Sequence, residues 1–343
     1  MTGKERIAAL IEGRPVDRPP FIPAVYEHKA ALIGQTPSAI ARDPLLLERA
    51  MLREAELYGA DTLTAGVDVY NVEAEAAGCR VSFPATNDVP AIEERAIGPG
   101  EPVRRRPRPD PERDGRMPVF LEAGRRVQER IGDRVVIRGA LSAPFSMACE
   151  MAGAEAVLTA LVEYPDWIED LLEFCAGITV TYGRAFLRRG LGVVLFDSHA
   201  SPPLVSPRLY RSLILPPTAG VIAALRRDAG RGPIPYIVGG DTALILDLIL
   251  ETGTDNVLCD FKADLDVFLR RLRDRPVLLR ANMDPRFLLT ASPSRIEEAA
   301  RLLIARGRLH PQFILGTGIL PYDLAPEKVL AVRGALAGRD RSG

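Results

Sequence analysis

The sequence predicts an α/β protein folded as a (β/α)8 (TIM) barrel, with a hairpin and loop inserted after the second strand. Three observations lead there. Eight short runs of β-branched and apolar residues recur along the chain, at 21–24, 62–65, 135–139, 193–196, 234–238, 256–260, 277–281 and 313–316. Between them lie stretches with apolar residues at helical spacings of three and four. Most runs are continuously apolar, the pattern of strands buried on both faces of a parallel sheet. An open, doubly wound sheet is the competing arrangement. It would carry a glycine-rich phosphate turn after an early strand, and Gly239-Gly240 is too short to be one.

Taken in order, MTGKERIAALIEGRP reads as a charged amphipathic helix and a turn, without the apolar segment of a signal peptide. Residues 44–58, PLLLERAMLREAELY, predict a helix capped by Asp43, with Pro44 in its first turn and Gly59 as its stop. The rhythm then breaks over about residues 70–130. Alternating segments at 79–84 and 90–95 predict a hairpin, and the Pro-Arg-rich run 102–118 predicts an exposed loop. Arg104, Arg105, Arg106 and Arg108 could hold an anion, but Asp110, Glu112 and Asp114 follow closely, so a solvated loop is the better reading. Further helices are predicted at 166–189, 207–227, 242–251, 265–273, 295–306 and 326–336. The whole chain, 1–343, is expected to form one barrel domain carrying that insertion.

Composition narrows the function classes. The 343 residues hold 44 Lys and Arg against 45 Asp and Glu, a net charge of -1 that exerts no pull toward nucleic acid or an anionic membrane. No apolar run reaches the roughly 18 residues that span a bilayer. Cys79, Cys149, Cys175 and Cys259 lack CxxC spacing, which argues against a zinc ribbon or disulfide framework and fits a reducing cytoplasm.

In such a barrel the site lies at the C-terminal strand ends. Tyr26, Glu27, His28 and Lys29 follow the first strand, Asp68 the second, and Ser142, Ser146, Cys149 and Glu150 the third. Asp197, Ser198 and His199 follow the fourth, and Asp241 and Thr242 the fifth. Asp260 ends the sixth, Arg280, Asn282 and Asp284 surround the end of the seventh, and Thr317 ends the eighth. The resulting mouth is acidic and holds two of the chain's three histidines, His310 falling at the other end. Asp68, His199 and Asp241 are the candidates for acid–base work. With Asp197 they are expected to line one pocket, because strand ends point into a common funnel. Tyr26, His28, Lys29, Glu150, Asp197, Ser198, Arg280 and Thr317 are the candidates for binding a small-molecule substrate. Asp241 and Asp284 equally suit helix caps. Asp197-Ser198-His199 is not a catalytic triad in the ordinary sense, since sequence neighbours rarely face one another.

The chain resembles the uroporphyrinogen decarboxylase superfamily, which includes the cobalamin-dependent methyltransferases. The resemblance rests on KERIAALIEGRPVDRPPFIP, on DVYNVEAEAAGCRVSFP at 68–84, on LFDSHAS at 195–201 and on GGDTALILDLILETGTDNVLCD. It continues through ANMDPRFLL at 281–289 and LGTGILPYDLAPEKV at 315–329. The VEAEAAG segment leans toward the methyltransferases. The resemblance implies a TIM barrel and a homodimer. For the methyltransferase branch it implies a zinc held by a His-x-Cys pair after the fifth strand and a Cys after the eighth. Those positions fall on Ile237, Gly239 and Thr317, so no thiolate zinc of the family type is expected. A different divalent metal would need nitrogen and oxygen ligands drawn from His28, Glu27, Asp68, Glu150, Asp197, His199 and Asp241.

For the decarboxylases the resemblance implies an arginine pair after the first strand, where this chain reads AVYEHKA with only Lys29 nearby. Their aspartate corresponds to Asp68, their serine to Ser198, their tyrosine falls near Glu150 and their histidine is Thr317. Three readings follow. The first is methyl transfer from a corrinoid or small methyl donor, with a corrinoid protein as partner. The second is a lyase that decarboxylates a tetrapyrrole or smaller carboxylic acid. The third is a non-catalytic binding descendant of the fold.

Overall fold

Each of the eight apolar runs forms a strand. The computed structural model describes residues 1–337, except Arg231. In chain order the strands are β1 (Phe21–Ala24), β2 (Thr62–Ala65), β3 (Arg80–Ser82), β4 (Ala91–Glu94), β5 (Val136–Ser142), β6 (Gly192–Phe196), β7 (Tyr236–Ile237), β8 (Asn256–Cys259), β9 (Leu278–Met283) and β10 (Phe313–Ile319). β3 and β4 are the expected antiparallel hairpin, with Val81 opposite Ile92. The other eight are parallel and form two ladders, β2-β5-β6-β7 and β1-β10-β9-β8. β1 meets β2 where the Asp61 N–H donates to the Phe21 carbonyl at 2.9 Å. β7 meets β8 through Thr254, whose Oγ1 accepts from the Tyr236 N–H at 3.1 Å and donates to the Ile234 carbonyl at 2.9 Å. The result is a (β/α)8 barrel whose strands follow one another in chain order.

Local chemistry explains where the strands stop. β7 keeps two residues of the expected run 234–238 because Pro233 and Pro235 have no N–H to give a ladder. The helix Pro44–Tyr58 has the predicted bounds: Asp43 Oδ1 accepts from the Leu45 and Leu46 N–H groups, and Gly59 takes φ 56°. The helix expected over 207–227 is broken into Pro207–Leu209, a π-turn at Tyr210–Ile214 and Leu215–Ala229. Pro216 and Pro217 remove two donors there, and the widened turn relieves the clash. In the insertion, Arg104 pairs with Asp170 at 2.6 Å and Arg106 with Glu101 at 2.5 Å, so part of the arginine run is already neutralised. The expected extent 1–343 runs on into residues 338–343, which lie outside the described residues. Among the described residues no helix is long and apolar enough to cross a membrane.

Side-chain alternation along the strands separates two cores. Phe21, Leu63, Leu141, Leu195, Leu279 and Leu315 point outward and pack under the helices. Ile22, Leu278 and Ile314 point inward near the strand starts, where Ile7 and Leu10 of the helix Gly3–Ile11 cover them. Toward the mouth the interior is filled by Ala24, Tyr26, Val194, Phe196, Ile237 and Leu258. The first helix is held there by Asp61, 1% exposed, which accepts from Arg6 at 2.5 Å, Arg18 at 2.7 Å and the Phe21 N–H at 2.6 Å. Asp61→Asn leaves Arg6 and Arg18 without their shared counter-charge, and a loss of about 3 kcal/mol or more is expected in urea titration.

Candidate active site

The mouth is organised by a buried carboxylate. β6 ends at Phe196, and the next residue, Asp197, is fully buried. Its Oδ1 accepts from the Ser146 N–H at 2.9 Å and the Ser146 hydroxyl at 2.6 Å, and its Oδ2 accepts from the Tyr236 hydroxyl at 2.7 Å. Tyr210, on the π-turn, donates to the Tyr236 oxygen at 3.3 Å. Ser146 lies in the first turn of the helix Pro144–Ala152, where an N–H has no intrahelical acceptor, so Asp197 caps that helix from another element. Burial raises the Asp197 pKa, and the Ser146 and Tyr236 hydrogen bonds oppose the rise.

Asp197 thereby sets His199. The His199 N–H donates to the Ser146 Oγ at 3.1 Å, so the backbone is held through the serine that Asp197 holds. The imidazole is part-exposed. Its Nε2 lies 3.8 Å from Glu150 Oε1, while its Nδ1 is buried without a partner among the described residues. Glu150 follows Ser146 by four residues on one helix, which puts both on the face turned to the β6 end. Tyr70 closes the other side. Its ring meets the His199 ring edge-on at 6.1 Å, and its hydroxyl accepts from the Ser198 N–H and donates to the Ser198 Oγ, each at 2.8 Å. Tyr70 takes φ 83°, a backbone region that a bulky residue enters only under strain. Across the mouth, Asp260 Oδ2 accepts from the Gly240 N–H at 2.9 Å.

The expected meeting of Asp68, Asp197, His199 and Asp241 in one pocket is not what the side chains do. Asp197, Ser198, His199 and Glu150 come together. Asp68 is buried and clamped by Arg116, at 2.9 Å to Oδ1 and 2.8 Å to Oδ2. Burial raises its pKa and Arg116 pulls it back. Asp241 is exposed and accepts from the Ala243 N–H at 3.1 Å, two residues on, bracing the turn that leads into the segment Ala243–Ile245.

His28 and Lys29 turn away from the mouth because the short helix His28–Ala31 points them at its neighbours. His28 Nδ1 donates to the carbonyls of Pro321 and Tyr322, and its Nε2 accepts from Tyr58. Lys29 donates to the Thr64 carbonyl at 2.7 Å and pairs with Glu54 at 3.4 Å. The Thr317 Oγ1 accepts from the Ala24 N–H at 3.0 Å. Tyr26 and Arg280 lie inside the barrel.

Tyr70, Tyr236 and Arg116 were not legible as site residues. Arg116 is 48 residues from Asp68, and nothing local marks the pair. Glu27, at the end of β1, was legible as a mouth carboxyl. Burial pushes it up to about 7.

The residues at the implied zinc positions do not fit a thiolate site. Ile237 is packed in the apolar interior, Gly239 has no side chain and Thr317 is already bonded to β1. All four cysteines are buried elsewhere, and no three His, Cys, Asp or Glu residues among those described are grouped to hold a metal.

Fold and site together define a (β/α)8-barrel protein with an imidazole–carboxylate cluster at the C-terminal strand ends. The profile of the uroporphyrinogen decarboxylase (URO-D) family matches residues 2–337, and the chain belongs to that family. It is 36% identical over 230 residues to the uroporphyrinogen decarboxylase of Acidiphilium cryptum, a match spanning 64% of this chain and 62% of that protein. It is 24% identical over 314 residues to the methylcobamide:CoM methyltransferase MtbA of Methanosarcina acetivorans, spanning 89% and 90%. A solved methyltransferase from Methanosarcina mazei superposes with a TM-score of 0.86 at 22% identity, covering 98% of both chains, a likeness of fold.

Two outcomes test these assignments. Arg116→Met leaves Asp68 buried and unpaired and is expected to cost about 3–5 kcal/mol in denaturant titration, most of it recovered by adding Asp68→Asn. Glu27 binds a proton in the folded state that it has lost in the unfolded state between pH 4.5 and about 7. Its contribution to stability therefore falls as pH rises through that window and stays lost above it. Glu27→Gln removes that fall, so thermal unfolding across the window is expected to show the variant gaining on the parent as pH rises.

Proposed function

We propose that this chain is a methyl-transfer enzyme run by an imidazole–carboxylate pair, His199 and Glu150, in place of a zinc thiolate. The observation that carries the reading is the part-exposed His199 edge beside Glu150, on a backbone locked through Ser146 and Asp197. A methylated corrinoid, delivered by a partner protein, would supply an electrophilic methyl group. His199 Nε2 takes the proton from an acceptor N–H, O–H or S–H as the acceptor's lone pair bonds the methyl carbon. The donor keeps the electron pair of the bond that breaks. Glu150 stabilises the imidazolium as it forms, and Tyr70 and Ser198 orient the acceptor.

The charge of the mouth supports this class of substrate. Lys29 is paired with Glu54 and Arg280 is drawn into the barrel, so neither replaces the arginine pair a polycarboxylate needs. Glu27, Glu150, Asp241 and Asp260 suit a neutral or cationic acceptor instead.

The second reading is decarboxylation of a small carboxylic acid. It is favoured by the Acidiphilium relative and by Ser198, which stands exposed at the β6 end. There His199 would protonate the carbanion left by carbon dioxide.

The test is incubation of zinc-free protein with methylcobalamin and a panel of thiols and amines, following loss of the cobalt–methyl absorbance. Methyl transfer is expected, with His199→Ala lowering kcat by about 10²–10⁴. Carbon dioxide release from a carboxylic acid without methyl transfer would establish the second reading instead.

A further inference from the structure

The protein pairs its buried cations with carboxylates, with two exceptions. Arg6, Lys29 and Arg116, each 5% exposed or less, lie against Asp61, Glu54 and Asp68. Arg138 and Arg280 are 8% and 4% exposed and make no ion pair among the described residues.

Both arginines project into the barrel. Arg138 on β5 is level with Thr64 and Gly192, and Arg280 on β9 is level with Leu258 and Ile314. Arg138 Nε donates to the Thr64 Oγ1 at 3.0 Å, and both its terminal nitrogens lack an acceptor among the described residues. Arg280 Nε donates to Asn282 Oδ1 at 3.0 Å and one terminal nitrogen donates to the Thr317 carbonyl at 3.1 Å, leaving the other free. The fold makes room for this. A Cβ on Gly316 would fall 2.4 Å from both Arg280 Nε and Asn282 Oδ1, so the strand must be bare where the guanidinium crosses it.

Both side chains line one cavity of 580 Å³ at the strand starts, opposite the mouth. Its walls include Ile22, Val136, Leu278 and Ile314, with Lys4 and Glu12 of the first helix segment at its edge. Burial pushes Arg138 down to about 10, with the charge of Arg280 adding to the fall, and Arg280 is pushed down as well. Burial pushes the Tyr26 phenol up to about 12, and both guanidiniums oppose that shift. The hydroxyl has no hydrogen-bond partner among the described residues. Glu54 and Asp260 act on Arg138 and Arg280 from a distance without forming an ion pair with either, so the barrel centre is a donor-rich spot whose two cations are only partly compensated.

We propose that the barrel core is an oxyanion site in which a small dianion of the phosphate or sulfate class bridges Arg138 and Arg280, reached from the N-terminal end of the barrel. Two guanidiniums carry two positive charges, so a dianion neutralises both while a carboxylate leaves one uncompensated. Their planar N–H groups match the oxygens of such an anion. The cavity opens at the strand starts, and the Arg280 guanidinium reaches up the barrel to Asn282 and Thr317, so the site lies beneath the floor of the mouth.

The test uses the full chain, dialysed into chloride and titrated with phosphate, sulfate or acetate at constant ionic strength. A saturable rise in Tm is expected with phosphate and sulfate, a smaller one with acetate, and none with added chloride. Arg138→Met and Arg280→Met should each abolish the response, and each should unfold at a higher temperature than the parent in chloride, because an unpaired buried charge is gone. Crystals of the unaltered chain soaked in selenate give a readout that does not depend on either variant folding, with an anomalous peak expected between the two guanidiniums. Equal Tm in phosphate and chloride, a response that survives both substitutions, or no selenate peak at that position would overturn the proposal.

Discussion

The barrel depends on Asp61. Its backbone N–H closes onto β1, its carbonyl accepts from Val136 at the start of β5, and its carboxylate takes Arg6, Arg18 and the Phe21 N–H. One residue therefore ties the first helix, the approach to β1, β1 itself and β5 at the joint between two ladders. A buried carboxylate is tolerable there because two cations and a backbone donor replace its water. Without that joint the first helix would keep its apolar contacts through Ile7 and Leu10 and its ties to Gly132 and Gln312, but lose the charged anchor that fixes it to β1 and β2.

Three buried aspartates at strand ends show how the partner decides the role. Asp61 and Asp68 are neutralised by arginines, and each fastens distant segments together. Asp197 is held by hydroxyl and backbone donors, Ser146 and Tyr236, that bring no opposing charge. It acts on the imidazole two residues on through Ser146, whose hydroxyl it holds and which accepts from the His199 N–H. Arg138 and Arg280 are the converse case, cations held by neutral acceptors, and their charge is left for something else to use.

The chain keeps the family's barrel, while the residues at its mouth depart from those the resemblance implies. Ile237, Gly239 and Thr317 occupy positions where the methyltransferase resemblance implies metal donors, and the loop after β1 has no arginine pair. A (β/α)8 barrel permits this because its stability resides in the strands and the helix layer, while its chemistry resides in loops that can be exchanged without disturbing either.

The sequence by itself determined the eight strands, the hairpin after β2 and the helix Pro44–Tyr58 with both of its caps, because each is written in local periodicity and in turn residues close in the chain. It marked Asp197, Ser198, His199 and Glu150 as residues at strand ends, since barrel topology fixes which end of each strand faces the mouth. Only the tertiary structure decided what those ends do. Asp68 was marked as a mouth residue, but its fate was set by Arg116, 48 residues away beyond the hairpin and the Pro-Arg-rich loop, where no local pattern links the two. Asp241 turns to the Ala243 N–H two residues on, a local contact in the turn after β7. Tyr236 looked like an ordinary member of a strand and Arg280 like a binding residue at the mouth, and what each does follows from which way an alternating strand turns a side chain. A register shift of one residue would have reversed both.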